Sequence, residues 1–309
     1  MNEYRKKLLN EIGKDDRKLD WESISENSNL SEEFIREFRN FVDWKLISVT
    51  QELSEDFIRE FQENVDWYEI SMNKKLSEEF IREFKDRVDW EHISRYQKLS
   101  ENFIREFEGV INWFGISINQ TLSEAFIREF KDKVDWERIS TYQKLTNDFM
   151  DEFGERVNWS RISAEQTISE ELIKKYNNQL NWNSISEYQK ISEELISEFE
   201  DKINWENISM NKNLNEDVIR KYGKNLDWES VSHFVHLTNG ILIEFSQKID
   251  WIVLFGSHEI DFTMIKKFIS KTNYESVDEF NTEHLAEEQK NKIQKILDVK
   301  YLFKNQKTS

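Results

Sequence analysis

The sequence predicts an all-α fold, an α-solenoid (superhelix) of about twelve two-helix repeats of 23 residues, with N- and C-terminal capping helices. Three observations carry that expectation. Trp21, Trp44, Trp67, Trp90, Trp113, Trp136, Trp159, Trp182, Trp205, Trp228 and Trp251 stand 23 residues apart without one insertion, and Tyr274 holds the next mark. Asp or Asn precedes every mark, from Asp20 to Asn273. The chain has no proline and only 7 glycines, so Ser, Asp and Asn must set its turns.

Residues 1–19 precede the array. Tyr4, Leu8 and Ile12 keep helical spacing there but lack the repeat's apolar face, as a capping helix would. Residues 20–280 form the tandem array. In the specimen repeat Leu53–Lys75, Ser54 precedes Glu55 and Asp56 and an apolar Phe57–Ile58–Phe61 face. Serine at an N-cap accepts from free amides, and carboxylates in the first turn suit the helix dipole. Leu53 is placed to staple Ile58. Asp66 repeats the grammar as a second N-cap, with Val65 and Ile70 as the second staple pair. Each unit is therefore expected to hold two short helices, Glu55–Asn64 and Trp67–Asn73.

One continuous helix fails, because 23 residues at about 100° each leave successive tryptophans out of phase. A leucine-rich repeat, with residues 65–71 as a strand, has a similar period. Trp67, Ile70 and Ser71 nevertheless have helical spacing, which favours paired helices.

The gapless repeats serve as their own comparison set. The tryptophans, the Ile47/Ile70/Ile93 column and the paired phenylalanines of FIREF are expected to stack. Serine recurs at Ser48, Ser71, Ser94 and onward to Ser232. A nucleophile would be single, so this column reads as a small residue at a close contact, its hydroxyl bonding the backbone one turn back. Arg36, Arg59, Arg82, Arg105 and Arg128 each follow a Glu by four residues, the favourable order on a solvated helix face.

The end of the second helix varies with a double period. One column runs Tyr96, Asn119, Tyr142, Glu165, Tyr188, Asn211, Phe234, so aromatics occupy alternate repeats. The preceding column, which includes Met72, Arg95, Ile118, Thr141, Glu187, Met210 and His233, alternates in the opposite phase. Such aromatics either lean into space left by smaller residues of the next repeat or form a ridge for protein contact. Tyr96, Tyr142, Tyr188 and Phe234 are the candidate binding residues.

Residues 281–309 are expected to form a C-terminal capping helix and basic tail. Leu285, Ile293, Ile296 and Leu297 share one side, and Lys290–Ser309 carries six lysines and one acid. Chemistry is sparse. No phosphate loop, nucleophile elbow or HExxH motif occurs, so no catalytic residue and no cofactor are assigned. His233, His236 and His258 are weak metal candidates, since stacking brings adjacent repeats together.

A net charge of −18 disfavours direct contact with nucleic acid or anionic membranes. It suits a protein partner, in particular a basic or nucleic-acid-binding one. The absence of cysteine fits a reducing cytoplasm, and the longest apolar stretch, Trp251–Phe255, is too short to cross a bilayer. The pattern LSEEFIREF-x5-DWERIS-xYQK, over roughly Asp20–Phe280, resembles short tandem repeats of large DNA viruses and bacteriophages, mostly of unknown function. That resemblance implies a viral protein acting on host factors in the host cytoplasm and brings no functional residues. The expected function is a non-catalytic protein-binding scaffold. Alternatives are an acidic nucleic-acid mimic that blocks a nucleic-acid-binding host protein and, less favoured, a metal-dependent enzyme.

Overall fold

The computed structural model describes residues 19–27, 29–272, 281 and 283–306. The expected N-terminal capping helix, Tyr274 and Phe280 lie outside them. Among the described residues there are 23 α-helices and no strand, which removes the leucine-rich alternative. The array of paired helices is an α-solenoid in its local organisation. Its contacts cluster into two units, Met1–Gln143 and Lys144–Ser309.

In the first unit the tryptophan helices Trp21–Glu26, Trp44–Thr50, Trp67–Asn73, Trp90–Tyr96, Trp113–Asn119 and Trp136–Tyr142 pack each on the next. The FIREF helices Glu32–Glu37, Glu55–Glu60, Glu78–Glu83, Glu101–Glu106 and Glu124–Glu129 alternate with them. In the second unit the tryptophan helices Trp159–Glu165, Trp182–Tyr188, Trp205–Ser209, Trp228–Phe234 and Trp251–Ser257 pack in the same serial way. The last helix, Glu287–Gln306, rests on Phe262–Phe268 and buries Ile293 and Leu297, with Ile296 half-buried.

The caps are as the sequence implies. Ser54 Oγ accepts from Phe57 N–H, and Asp66 accepts from Tyr68 and Glu69. The tryptophan helix spans Trp67–Asn73 as expected, whereas the first helix stops at Glu60 and not at Asn64. Phe61 leaves helical geometry at φ −110° and ψ 28°, and a tight turn follows in which Asn64 and Val65 both donate to its carbonyl. This turn brings Val65 and Phe61 into the core in place of another helical turn.

Phenylalanine and isoleucine make the core centre. Phe57, Ile58, Phe80, Ile81 and Ile70 are fully buried, each worth roughly 2–3 kcal/mol of apolar burial. Most tryptophans are half-buried and roof the junction between repeats. The Trp67 ring lies 4.8 Å from Phe84 of the next repeat, and its Nε1–H donates to Gln62 O at 3.0 Å. Trp159 is buried outright because Tyr176 stacks on it at 3.9 Å.

Three polar devices lock neighbouring repeats, and two of them were not expected. The serine hydroxyl bonds back as predicted, Ser71 Oγ to Trp67 O at 2.7 Å. It also accepts from the backbone N–H of the next repeat's N-cap, Asp89, at 2.9 Å. The hydroxyl thus joins one helix to the entry of the next, which explains why only a small hydroxyl residue recurs there.

Glutamine supplies the second device. Gln97 Nε2 donates to Ser71 O and Lys74 O, and its Oε1 accepts from Leu76 N–H at 3.0 Å. Gln120 and Gln143 repeat this on the next rungs, and Gln189 does so in the second unit. These side chains are buried, so their bonds satisfy loop carbonyls and amides that would otherwise be stranded.

The third device uses the FIREF glutamates. Glu55 Oε1 accepts from the backbone N–H of Ser77, the next N-cap, while its other oxygen lies 3.7 Å from Arg59. The arginines keep the expected same-helix glutamate within 4 Å and add a closer contact across repeats. Arg59 Nε reaches Glu83 of the next repeat at 2.7 Å, and its guanidinium covers the Phe80 ring at 5.0 Å. The arginine fastens two repeats while staying about one-third exposed, at 34%.

Candidate protein-binding face

Once stacking has consumed the Phe, Ile, Ser and Gln columns, the outer surface of the tryptophan helices remains. Apart from Phe41, Val110, Ile243 and Val299, every exposed large apolar side chain among the described residues lies on a tryptophan helix. The four sequence-predicted residues are among them. Tyr96 is 48% exposed, Tyr142 55%, Tyr188 51% and Phe234 38%. These values place the rings at the surface. Tyr96 and Tyr142 belong to the first unit, Tyr188 and Phe234 to the second.

Beside the aromatics the surface is hollow. In the first unit a pocket of about 460 Å³ lies between Tyr96 and the next repeat, bounded by Arg95, Lys98, Asn119 and Thr121. In the second unit a pocket of about 400 Å³ is lined by Glu187, Tyr188, Met210, Lys212, Asn213 and Phe234. Two aromatics of the doubled period border this second hollow. Tyr188 and Phe234 are its walls, and the repeat between them supplies Met210 as a smaller residue.

The array also departs from its own pattern at this pocket. The intervening tryptophan helix is only five residues long, Trp205–Ser209, where its neighbours have seven. Asn211, one position early, takes over the glutamine role by donating to Ser186 O and Gln189 O. The shortened helix turns at Lys212 and Asn213, and Asn213 donates to Tyr188 O at 3.3 Å. The Tyr188 phenol lies close to the Glu187 carboxylate. Interaction with Glu187, with burial and the charges of Glu187 and Glu165, holds the phenol above its ordinary pKa. Glu187 also accepts from Asn207 at 3.2 Å, and His233 stands at 84° to the Phe234 ring.

Sequence reasoning did not single out Tyr68, Phe114, His92 or the pocket floor. Tyr68 packs on His92 at 4.3 Å, and His92 stacks near Tyr96 at 5.7 Å, giving an aromatic trail in the first unit. The available signal was their place on the tryptophan helix, one or two residues after a ruler mark.

The weak metal candidates do not converge. His233 Nδ1 bonds Ser257 Oγ at 3.0 Å, while the rings of His236 and His258 are 6.5 Å apart. His258 stands at the glutamine position of its repeat, one ruler step after Val235, and burial lowers its pKa. Its Nε2 is buried and makes no hydrogen bond among the described residues. Among those residues no group of three or more His, Asp or Glu side chains is arranged to hold a metal ion. No helix there is long and apolar enough to cross a membrane.

In comparisons with models of known protein families, with curated proteins and with solved structures, nothing matches this chain.

Proposed function

We propose that the protein is a non-catalytic, protein-binding repeat scaffold whose contact residues lie on the outer surface of the tryptophan helices. The observation that carries this is the concentration of exposed aromatic and apolar side chains there. The FIREF helices present bridged arginines and glutamates instead. Exposed aromatics beside preformed hollows are the usual anchors of protein interfaces. The resemblance of the repeats to those of large DNA viruses and bacteriophages makes a host cytoplasmic protein the partner class to seek.

An acidic nucleic-acid mimic is supported less. Glu60, Glu83, Glu106 and Glu129 on the FIREF surface each pair with an arginine, so charge alternates in sign there. The test is affinity capture from the native cellular background. It compares the wild-type chain with Tyr188→Ala/Phe234→Ala and Tyr96→Ala/Tyr142→Ala variants. Loss of captured proteins from at least one variant, with unchanged circular dichroism, is expected. Identical capture by all three would overturn the proposal.

A further inference from the structure

At several rungs of the array an aromatic face of one repeat is covered by a cation from a neighbouring repeat. Arg59 lies over Phe80 at 5.0 Å, Lys202 over Trp182 at 5.6 Å and Lys248 over Trp228 at 5.5 Å. The ring quadrupole attracts the cation, and the neighbouring repeat positions it. Tyr188 and Phe234 depart from that habit. They flank one pocket, both are exposed, and among the described residues no cation of the array sits over either ring. Glu187 lines the same pocket. Its hydrogen-bond donor, the Asn207 amide, and the Tyr188 phenol beside it are neutral, and among the described residues no cation pairs with it. Residues 182–234 carry eleven acids and six bases, so the surroundings also favour a cation.

We infer that the Tyr188–Phe234 pocket receives an arginine side chain from a basic segment of the partner protein, with the guanidinium against the two rings and facing the Glu187 carboxylate. This rests on the proposed protein-binding role and gives the partner its chemistry. A flat guanidinium stacks on aromatic rings and bonds a carboxylate in one pose, which an aliphatic anchor cannot do. Met210 on the pocket wall offers apolar contact to the arginine stem. Lys212 on the rim works against the incoming charge, so the site is tuned below its greatest affinity.

The experiment titrates the full chain with a capped glycine peptide carrying two arginines and with the same peptide carrying citrulline, its neutral near-isostere. The arginine peptide should bind at least about tenfold tighter than the citrulline one, a difference of about 1.4 kcal/mol. Tyr188→Ala/Phe234→Ala, which keeps the net charge, should remove that difference. Glu187→Gln should weaken binding and Lys212→Ala should tighten it, two opposite responses that unfolding cannot imitate. Equal affinity for both peptides, or arginine binding unchanged in the double variant, overturns the inference. If the double variant still loses its captured protein partners, only the arginine assignment falls. If capture is also unchanged, the binding role falls with it.

Discussion

At the residue scale the glutamine column is the part of the molecule most sensitive to chemistry. Gln97 uses both its amide hydrogens and its carbonyl on the main chain of other repeats, and no other side chain of similar length offers that set. Lys74, Lys212, Val235 and His258 break the column, and two of them, Lys74 and His258, set a titratable group against buried backbone. Lys74 places its amine in the same buried niche, where Nζ donates only to Val49 O, and burial holds its pKa below the ordinary value. Lys74→Gln should therefore stabilise the protein by about 1 kcal/mol, read from the urea midpoint.

His258 is the second of these two, and its pKa is lowered, first by burial. Between its folded value and the unfolded one, near about 6.5, the unfolded chain binds more protons, so stability is lost as pH falls below about 6.5. His258→Gln should remove that part of the acid sensitivity in melts compared between about pH 7.5 and about pH 5.5. An unchanged pH slope would contradict the assignment. Neither of these two breaks could be interpreted from sequence. The recurrence of Gln was visible in the YQK motif, but its partners are backbone atoms some 21 to 26 residues earlier, which spacing alone does not reveal.

At the scale of elements, helices of six or seven residues are far below the length that stands alone in water, about 12–15 residues. Each persists because caps satisfy its ends and neighbours bury one face. The capping grammar was legible, and it gave the specimen tryptophan helix Trp67–Asn73 its correct boundaries, while Trp205–Ser209 departs from the pattern. It failed at the end of the FIREF helix because Phe61 satisfies the helical spacing and the core equally well. Only packing decides that the chain turns there.

Cohesion that runs from neighbour to neighbour has a consequence for dynamics. Gln120→Ala leaves Leu99 N–H and two carbonyls without their partner, a cost of roughly 2–3 kcal/mol. Hydrogen exchange should then rise within residues 94–122, while residues 185–235 keep their protection. Uniform loss throughout the chain would argue for a single cooperative block.

For the whole molecule, composition and charge divide the work of binding. In the proposed binding role, a net charge of −18 would draw a basic partner from a distance and raise its association rate, an effect that salt screens. Charge spread over 61 acids selects no particular contact, so the proposed role assigns selectivity to the exposed rings of the tryptophan helices. The sequence showed the alternating aromatics but not whether they were buried. That depends on local packing, and beside Tyr188 and Phe234 the hollow adjoins the shortened Trp205–Ser209 helix and the early Asn211. The most direct test of the central claim is hydroxyl-radical footprinting of the chain with and without its captured protein partner. Protection of Tyr188, Met210 and Phe234, with no change at Phe41 or Ile243, is the predicted result. Unchanged labelling of the three pocket residues, with protection confined to the FIREF helices, would contradict it.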